Sequence, residues 1–489
     1  MINFLLWAPA VVGLLTFIVP RTGIRIVAVI GAIWVLVLAA IVAIGFDPDA
    51  AGLQHPVDES WIPDLGVRYQ LGVDGISVFL VVLTALLWTA ATLYSAFHPP
   101  RDRPRTYFFM LGLAETATLG AFLAQDLLLF VLFFDLMLIP FYFLIGAWGG
   151  RDRIAATIRM VVYTFVGSLL MLVAAIATAI LVSDQTGELS FSLAYLQQNV
   201  LGEGSQDWIF WFFAAAFLVK MPAFLVHGWM PDAYRAAPIA VVAVLSGVLS
   251  KVGAYGFLRI VLPTYPDATV QFQEVVMVIA VASIIYGGVM AFTQTNVRLV
   301  AGFSSLSQLG FITLGIFALR PDGADGAVLQ MVNHGLVVAA TFLIIGILAA
   351  RAGTEDLREM GGLAFRAPVL AALFLIVTLA TLAMPGSANF IGEFYILIGT
   401  FQSKLVFAIV ASIGVALAAF YAIRLYQRTM HNRLPEGIES REISVREGLV
   451  IVPLVACIVA LALHPGLILD RGEESVEQAL DPPETVATR

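Results

Sequence analysis

Charge is scarce in this chain. Only 12% of its 489 residues are Asp, Glu, Lys or Arg, where a soluble protein carries roughly 25%. Hydrophobic residues make up 60%, and mean hydropathy is +0.94. A soluble protein of this size needs a polar surface that this composition does not supply. Cysteine is nearly absent too. Cys457 stands alone in an apolar run, and no C-x-x-C occurs, which excludes an internal disulfide and argues against an iron–sulfur site. Lysine is rare: Lys220, Lys251 and Lys404 stand among 23 arginines. No basic tract is large enough to suggest nucleic acid, and the net charge is -8. Disordered, collagenous and disulfide-scaffold classes fall at the same step.

What the chain has is long apolar runs. A helical crossing needs about 20 mostly apolar residues to span roughly 30 Å of hydrocarbon. Fourteen such runs can be marked out, and they are continuous rather than alternating, which favours helices over a closed β-barrel. The first lacks a basic lead-in, so it reads as a first helix rather than a signal peptide. The expected fold is an all-α polytopic membrane bundle of about 14 transmembrane helices. An N-terminal three-helix segment (1–97) precedes two five-helix repeats (107–260, helices 4–8, and 272–428, helices 9–13) of inverted topology. A C-terminal helix (448–468) and an acidic tail (470–489), read as a partly ordered or disordered end, complete it. Helices 7 and 12 are expected to be broken. Pro222, Pro231 and Pro238 interrupt the first region, and Met384-Pro385-Gly386-Ser387-Ala388-Asn389 the second.

Basic residues set the expected topology. If the loop after the first helix is cytoplasmic, alternate loops from Arg21 to Arg446 hold 18 basic residues. The opposite loops hold five: Arg68, Arg320, Lys404, Arg471 and Arg489. Lys220, Lys251 and Arg259 fall within spans. Both termini are then expected on the non-cytoplasmic side.

The remaining charges carry the information, because an ion deep in a membrane costs at least a few kcal/mol and usually faces a cavity or a partner. They are Glu115, Asp135, Lys220, Lys251 and Glu393, with His227 and His334 as titratable polar groups. Lys220 either snorkels from a helix end or occupies an internal ion site; its depth favours the second. Asp135 is its natural partner, as a switchable pair or a static fastening between helices. Glu115 reads equally as part of a proton path or as a local hydrogen-bonded group. Lys251 lies among Gly247, Ser250 and Gly253. His334 is a relay imidazole or a packing one. His227 feeds a proton entrance or braces Asp232. Glu393 follows the Pro-Gly break as an ion site, a cap of the new half-helix, or both. Together they suggest proton relay, with no nucleophile–base triad beside them.

Longer strings carry a resemblance. They are Lys220-Met221-Pro222-Ala223-Phe224-Leu225-Val226-His227-Gly228-Trp229-Met230-Pro231-Asp232, the Gln294-Thr295-Asn296 to Gly310 stretch, Gly72 to Ser77, and Pro385 to Phe394. Over nearly its whole length the chain resembles the antiporter-like membrane subunits of respiratory complex I. The resemblance implies that Asp135 and Lys220 form a coupling pair, that Lys251 and His334 continue the relay, and that Glu393 ends it. A glutamate at this last position points to the M branch rather than to L or N. It further implies a proton-translocating subunit of an NADH:quinone oxidoreductase in the bacterial inner membrane, with antiporter-like L and N neighbours. No cofactor is expected in this chain; NADH, FMN, iron–sulfur clusters and quinone are implied in partner subunits. Three departures stand out: Asp135 where Glu is usual, Gln308 where a histidine is often found, and Arg298 standing without the lysine common before Arg-Leu. A subunit of a multisubunit cation/proton antiporter, or a purely structural membrane subunit, are the alternatives.

Overall fold

The computed structural model describes residues 1–48, 50, 52–433 and 441–480; Arg489 and the end of the acidic tail lie outside the described residues. Helices α1 (Ile2–Leu15) and α2 (Ile24–Ile44) precede an antiparallel hairpin, β1 (Gln54–Ile62) and β2 (Val67–Val73). Next come α3 (Ser77–Phe97), α4 (Pro104–Leu123), α5 (Leu127–Leu136) and α6 (Leu138–Trp148). They are followed by α7 (Arg153–Thr186), α8 (Leu193–Gln198), α9 (Glu203–Lys220) and α10 (Met230–Ala236). One crossing, Ile239–Thr264, contains α11 (Ile239–Val244), α12 (Lys251–Gly256) and α13 (Leu262–Thr264), joined by π-helical turns at Leu245–Leu249 and Phe257–Val261. The chain continues through α14 (Pro266–Thr293), α15 (Val297–Phe317), α16 (Pro321–Ala352) and α17 (Pro368–Thr381). It ends with α18 (Ala388–Ser403), α19 (Leu405–Met430), α20 (Val445–Leu463) and α21 (Gly466–Leu480).

Among the described residues, eleven helices are long and apolar enough to cross a membrane. The molecule is an all-α polytopic membrane bundle, the one hairpin apart. That hairpin falls within the N-terminal segment read as three helices. Its strand signal is the period-two alternation of Val67, Tyr69, Leu71 and Val73 with Arg68 and Gln70, short enough to pass as loop beside the apolar runs.

Loops assigned to alternate sides do meet on two opposite faces. On one, Arg105 donates to the Val19 carbonyl at 3.0 Å, Gly150 N–H to Ala236 O at 2.7 Å, and Arg298 pairs with Glu355 at 2.7 Å. On the other, Asp126 caps α5 through Leu128 and Leu129 N–H, each at 3.0 Å, and also accepts from Arg68 N–H of β2. Burial pushes the Asp126 carboxyl above its ordinary value, opposed by these backbone donors.

Arg259 lies inside the Ile239–Thr264 crossing, as expected, but serves this second face. Its Nε stands 3.3 Å from Asp74, and its Nη2 donates to Gln125 at 2.7 Å. Asp74 is only 3% exposed. Arg259→Gln leaves that carboxylate without its counter-charge. Removing one partner of a buried pair costs about 3 kcal/mol, so a lower unfolding temperature of the solubilised complex is expected in a thermal melt.

The tail reading is corrected in part. Residues 470–480 belong to α21, which buries Ile468, Gly472, Val476 and Ala479 at helical spacing and packs against α16 and α13. Gly75 N–H donates to Ser475 Oγ at 3.0 Å, and a Cβ on Gly75 would collide with the Arg471 carbonyl. The acidic residues made the segment look solvated; they occupy only its outer face.

Candidate functional site

The α9 helix stops at Lys220 because Pro222 has no amide to continue the ladder. A helix end inside a bundle must have its last carbonyls satisfied. Phe217 O accepts from Met221 N–H, Leu218 O from Ala223 N–H, and Val219 O from the Trp229 indole at 2.9 Å. Lys220 is 4% exposed. Its Nζ donates to Phe134 O at 3.3 Å and lies 4.3 Å from the centre of the Phe134 ring. A cation at a helix C-terminus and over an aromatic face is favourable on both counts.

Asp135 is the neighbour of Phe134, half-buried, with Ser168 of α7 beside it and Oδ1 unpartnered. Among the described residues, no Asp135–Lys220 contact falls within 4.0 Å. The expected pair is therefore adjacent but open in this conformation. The aspartate is a methylene shorter than glutamate, and Phe134 occupies the ammonium instead.

Lys251 is fully buried and held by a backbone irregularity. In the π-helical turn, Ser250 N–H reaches back to Leu245 O at 3.3 Å, which releases the Ser246 carbonyl from its usual α-helical donor. That carbonyl accepts Lys251 Nζ at 2.6 Å and Ser250 Oγ at 2.9 Å. Ser246 Oγ donates to Ser305 on α15 at 3.1 Å. Glycines bring the neighbouring helices close. A Cβ on Gly253 would stand 2.6 Å from Phe217 O of α9. A Cβ on Gly335 of α16 would stand 2.7 Å from Gly247 O.

The Gly247–Gly335 crossing sets His334 within electrostatic reach of Lys251. His334 is 3% exposed, and neither ring nitrogen has a hydrogen-bond partner. One turn earlier on α16, Gln330 Nε2 donates to Gln308 Oε1 at 2.7 Å, and Gln308 Nε2 donates to Glu393 Oε1 at 2.7 Å. Glu393 is 2% exposed and its Oε2 is unpartnered. Tyr421 lies beside Gln308 and Glu393. The chain break that frees this corner runs from Thr381 to Ala388, with Ala383 and Gly386 at φ 52° and 90°. Asn333 Nδ2 donates to Ala388 O at 2.8 Å and ties α16 to the restart.

Lys251, His334, Gln330, Gln308 and Glu393 thus form one buried polar row, with Lys220 and Asp135 on the helices beside it. Gln330 escaped the sequence reading. Its signal was its place four residues before His334, on the same helix face. Two expected members stand apart. Glu115 is 3% exposed with Oε1 unpartnered, and it lines a cavity of about 20 Å³ among α1, α2, α3 and α4. That volume suits about one water. His227 packs among Phe224, Tyr286 and Phe303, with the Tyr286 ring centre 5.0 Å away. It does not brace Asp232, which pairs with Arg159. Among the described residues, no three His, Cys, Asp or Glu side chains come together as a metal site.

Residues 124–418 match the family described as NADH:quinone oxidoreductase/Mrp antiporter, TM. The chain is 38% identical over 453 residues to NADH-quinone oxidoreductase subunit M of Rhodobacter capsulatus, covering 91% of this chain and 88% of that one. A chain of respiratory complex I from Thermus thermophilus with bound NADH superposes with a TM-score of 0.89 at 29% identity, over 98% of this chain and 100% of that one. A chain of the Mrp complex from Dietzia sp. DQ12-45-1b gives 0.86 at 21% identity, over 99% and 97% respectively, a likeness of fold alone. The chain belongs to the NADH:quinone oxidoreductase/Mrp antiporter family of membrane subunits, in its subunit M group.

Proposed function

We propose that this chain conducts protons as subunit M of a bacterial NADH:quinone oxidoreductase, driven by quinone reduction in other subunits. The observation that carries this reading is the buried row from Lys251 to Glu393. A membrane protein has little physical reason to bury so many titratable and amide groups together unless they serve transport. The redox groups, NADH, FMN, iron–sulfur clusters and quinone, belong to partners, and the antiporter-like L and N subunits are the neighbours.

In this reading the chain crosses the bilayer fourteen times. The eleven long helices are joined by α1, by α9, and by α17 with α18 as one broken crossing. Residues 107–260 and 272–428 are inverted repeats, which places the interruption after Lys220 opposite the one before Glu393. The arginine-rich face is cytoplasmic, and both termini lie on the other side.

A proton enters from the cytoplasmic face past His227 and reaches Lys220. Movement of Asp135 toward Lys220 favours the ammonium; movement away favours release. The proton passes to Lys251 and to His334, whose two open nitrogens suit it to accept on one and give from the other. Gln330 and Gln308 do not titrate near neutrality. They hold Glu393 by Oε1 and leave Oε2 open to take the proton before exit. Glu115, in its own cavity, has no place on this route.

The likeness to an Mrp complex chain favours a second reading, a cation/proton antiporter subunit, which transports without NADH oxidation. Proton uptake into vesicles containing the assembled complex separates the two. Lys251→Met keeps the shape, removes the charge and is expected to lower NADH-driven uptake severalfold with assembly intact. Unchanged uptake per NADH oxidised sinks the row as the route.

A further inference from the structure

Outside the polar row an apolar groove of about 420 Å³ lies between α2 and α20. That is within the range of about 300–1,000 Å³ for small-molecule sites. Its floor is Phe79 and Leu83 of α3, Val332 and Leu336 of α16, and Ile468 of α21, all buried. Ala43 on one side and Cys457 on the other form the rims. The helices bounding it are long enough to cross a membrane, and their flanks face outward: Ile44 is 84% exposed and Leu463 70%. The groove therefore opens to hydrocarbon, not to water. It starts at the face that carries α21 and descends along α3 to Leu86. Leu86 lies nine residues beyond Ser77, about 14 Å at 1.5 Å per residue. That is about half the thickness of the hydrocarbon.

One charged side chain lines the groove, Arg471, where α21 crosses its mouth. Its Nη1 donates to Leu467 O at 3.2 Å, one turn back on the same helix. Among the described residues no carboxylate lies within 4.0 Å of it. A dry slot with a single guanidinium at its interfacial end matches a molecule with an apolar chain below an anion.

We propose that this groove holds an acyl chain of an anionic phospholipid whose phosphate sits on Arg471. The bilayer supplies the ligand, and the guanidinium offers several donors to one phosphate. The chain would lie along α16 at Val332 and Leu336, two residues either side of His334. The site is thus a lipid contact on the back of the helix that carries the relay histidine.

The test uses the assembled complex in phosphatidylcholine vesicles. A phosphatidylglycerol probe with a photoreactive group in its acyl chain is added, and adducts are mapped by mass spectrometry. Adducts are expected at Cys457 and Leu83, in excess over Leu449 and Val452 on the lipid-facing part of α20. Ala43→Phe fills the groove and should remove the excess. Arg471→Gln, at a partly exposed position that should not endanger folding, should lower phosphatidylglycerol adducts about fivefold. It should leave a phosphatidylcholine probe with the same chain unchanged. Labelling no higher in the groove than at Leu449, as when a neighbouring subunit covers it, overturns the proposal. So does equal loss of both probes, or of neither, in Arg471→Gln.

Discussion

Complexes carrying Lys220→Ala are expected to assemble and oxidise NADH but to lose NADH-driven proton uptake by about a hundredfold, the lower end of what a positioned proton-transfer group contributes. Assembly should survive because of what surrounds this lysine. Its ammonium rests on a backbone carbonyl and the ring of Phe134, and among the described residues no carboxylate lies within 4.0 Å. Deleting it therefore leaves no fully buried partner charge, and Asp135 is only half-buried. Lys220→Arg sharpens the test. Arginine retains the cation, the helix-end placement and the ring contact, yet it does not give up its proton. A purely structural cation predicts that arginine works. A proton carrier predicts that it fails as alanine does. Wild-type pumping in Lys220→Arg would remove Lys220 from the route. The measurements are dye-reported uptake into vesicles and NADH oxidation, read on the same preparation.

The second large effect concerns Gln308, the bridge between Gln330 and Glu393. Gln308→Leu strips a partner from the Gln330 amide and from Glu393 Oε1, both buried. Each orphaned group costs about 1–3 kcal/mol, so the complex should melt earlier, and uptake should fall by about tenfold because Glu393 is no longer held. Gln308→His restores a ring N–H within reach of Glu393 and is expected to recover both quantities. A leucine variant that melts earlier but pumps normally would make Gln308 a fastening and take Glu393 off the path. If histidine recovers stability without uptake, the amide itself is required.

These two positions also mark how far the sequence could be read. Lys220 was visible as a charge within an apolar run, and Gln308 as an uncharged residue where the family often carries histidine. Their partners were not. Charge chemistry and the family resemblance both point Asp135 to Lys220, and the structure puts the Phe134 carbonyl and ring there instead. Asp232 was offered to His227, but it pairs with Arg159. Glu115 and His227 were drawn into one line with the others because all are rare intramembrane polar groups. Helix packing sends Glu115 to a separate cavity beside α1 and α2.

What the sequence by itself determined is the class, a multi-pass membrane bundle, and the short roster of interior charges. Each crossing must meet the bilayer's demand for length, apolarity and internal backbone hydrogen bonding within its own residues, so that information is local. The tertiary structure alone decided which polar groups meet. The Gln308–Glu393 bond joins residues 85 positions apart. The cradle of Lys251 depends on a π-helical turn that frees one carbonyl, and the approach of His334 on two glycines that let α16 close on that turn. Those contacts follow from helix crossings and backbone register, which no single apolar run encodes.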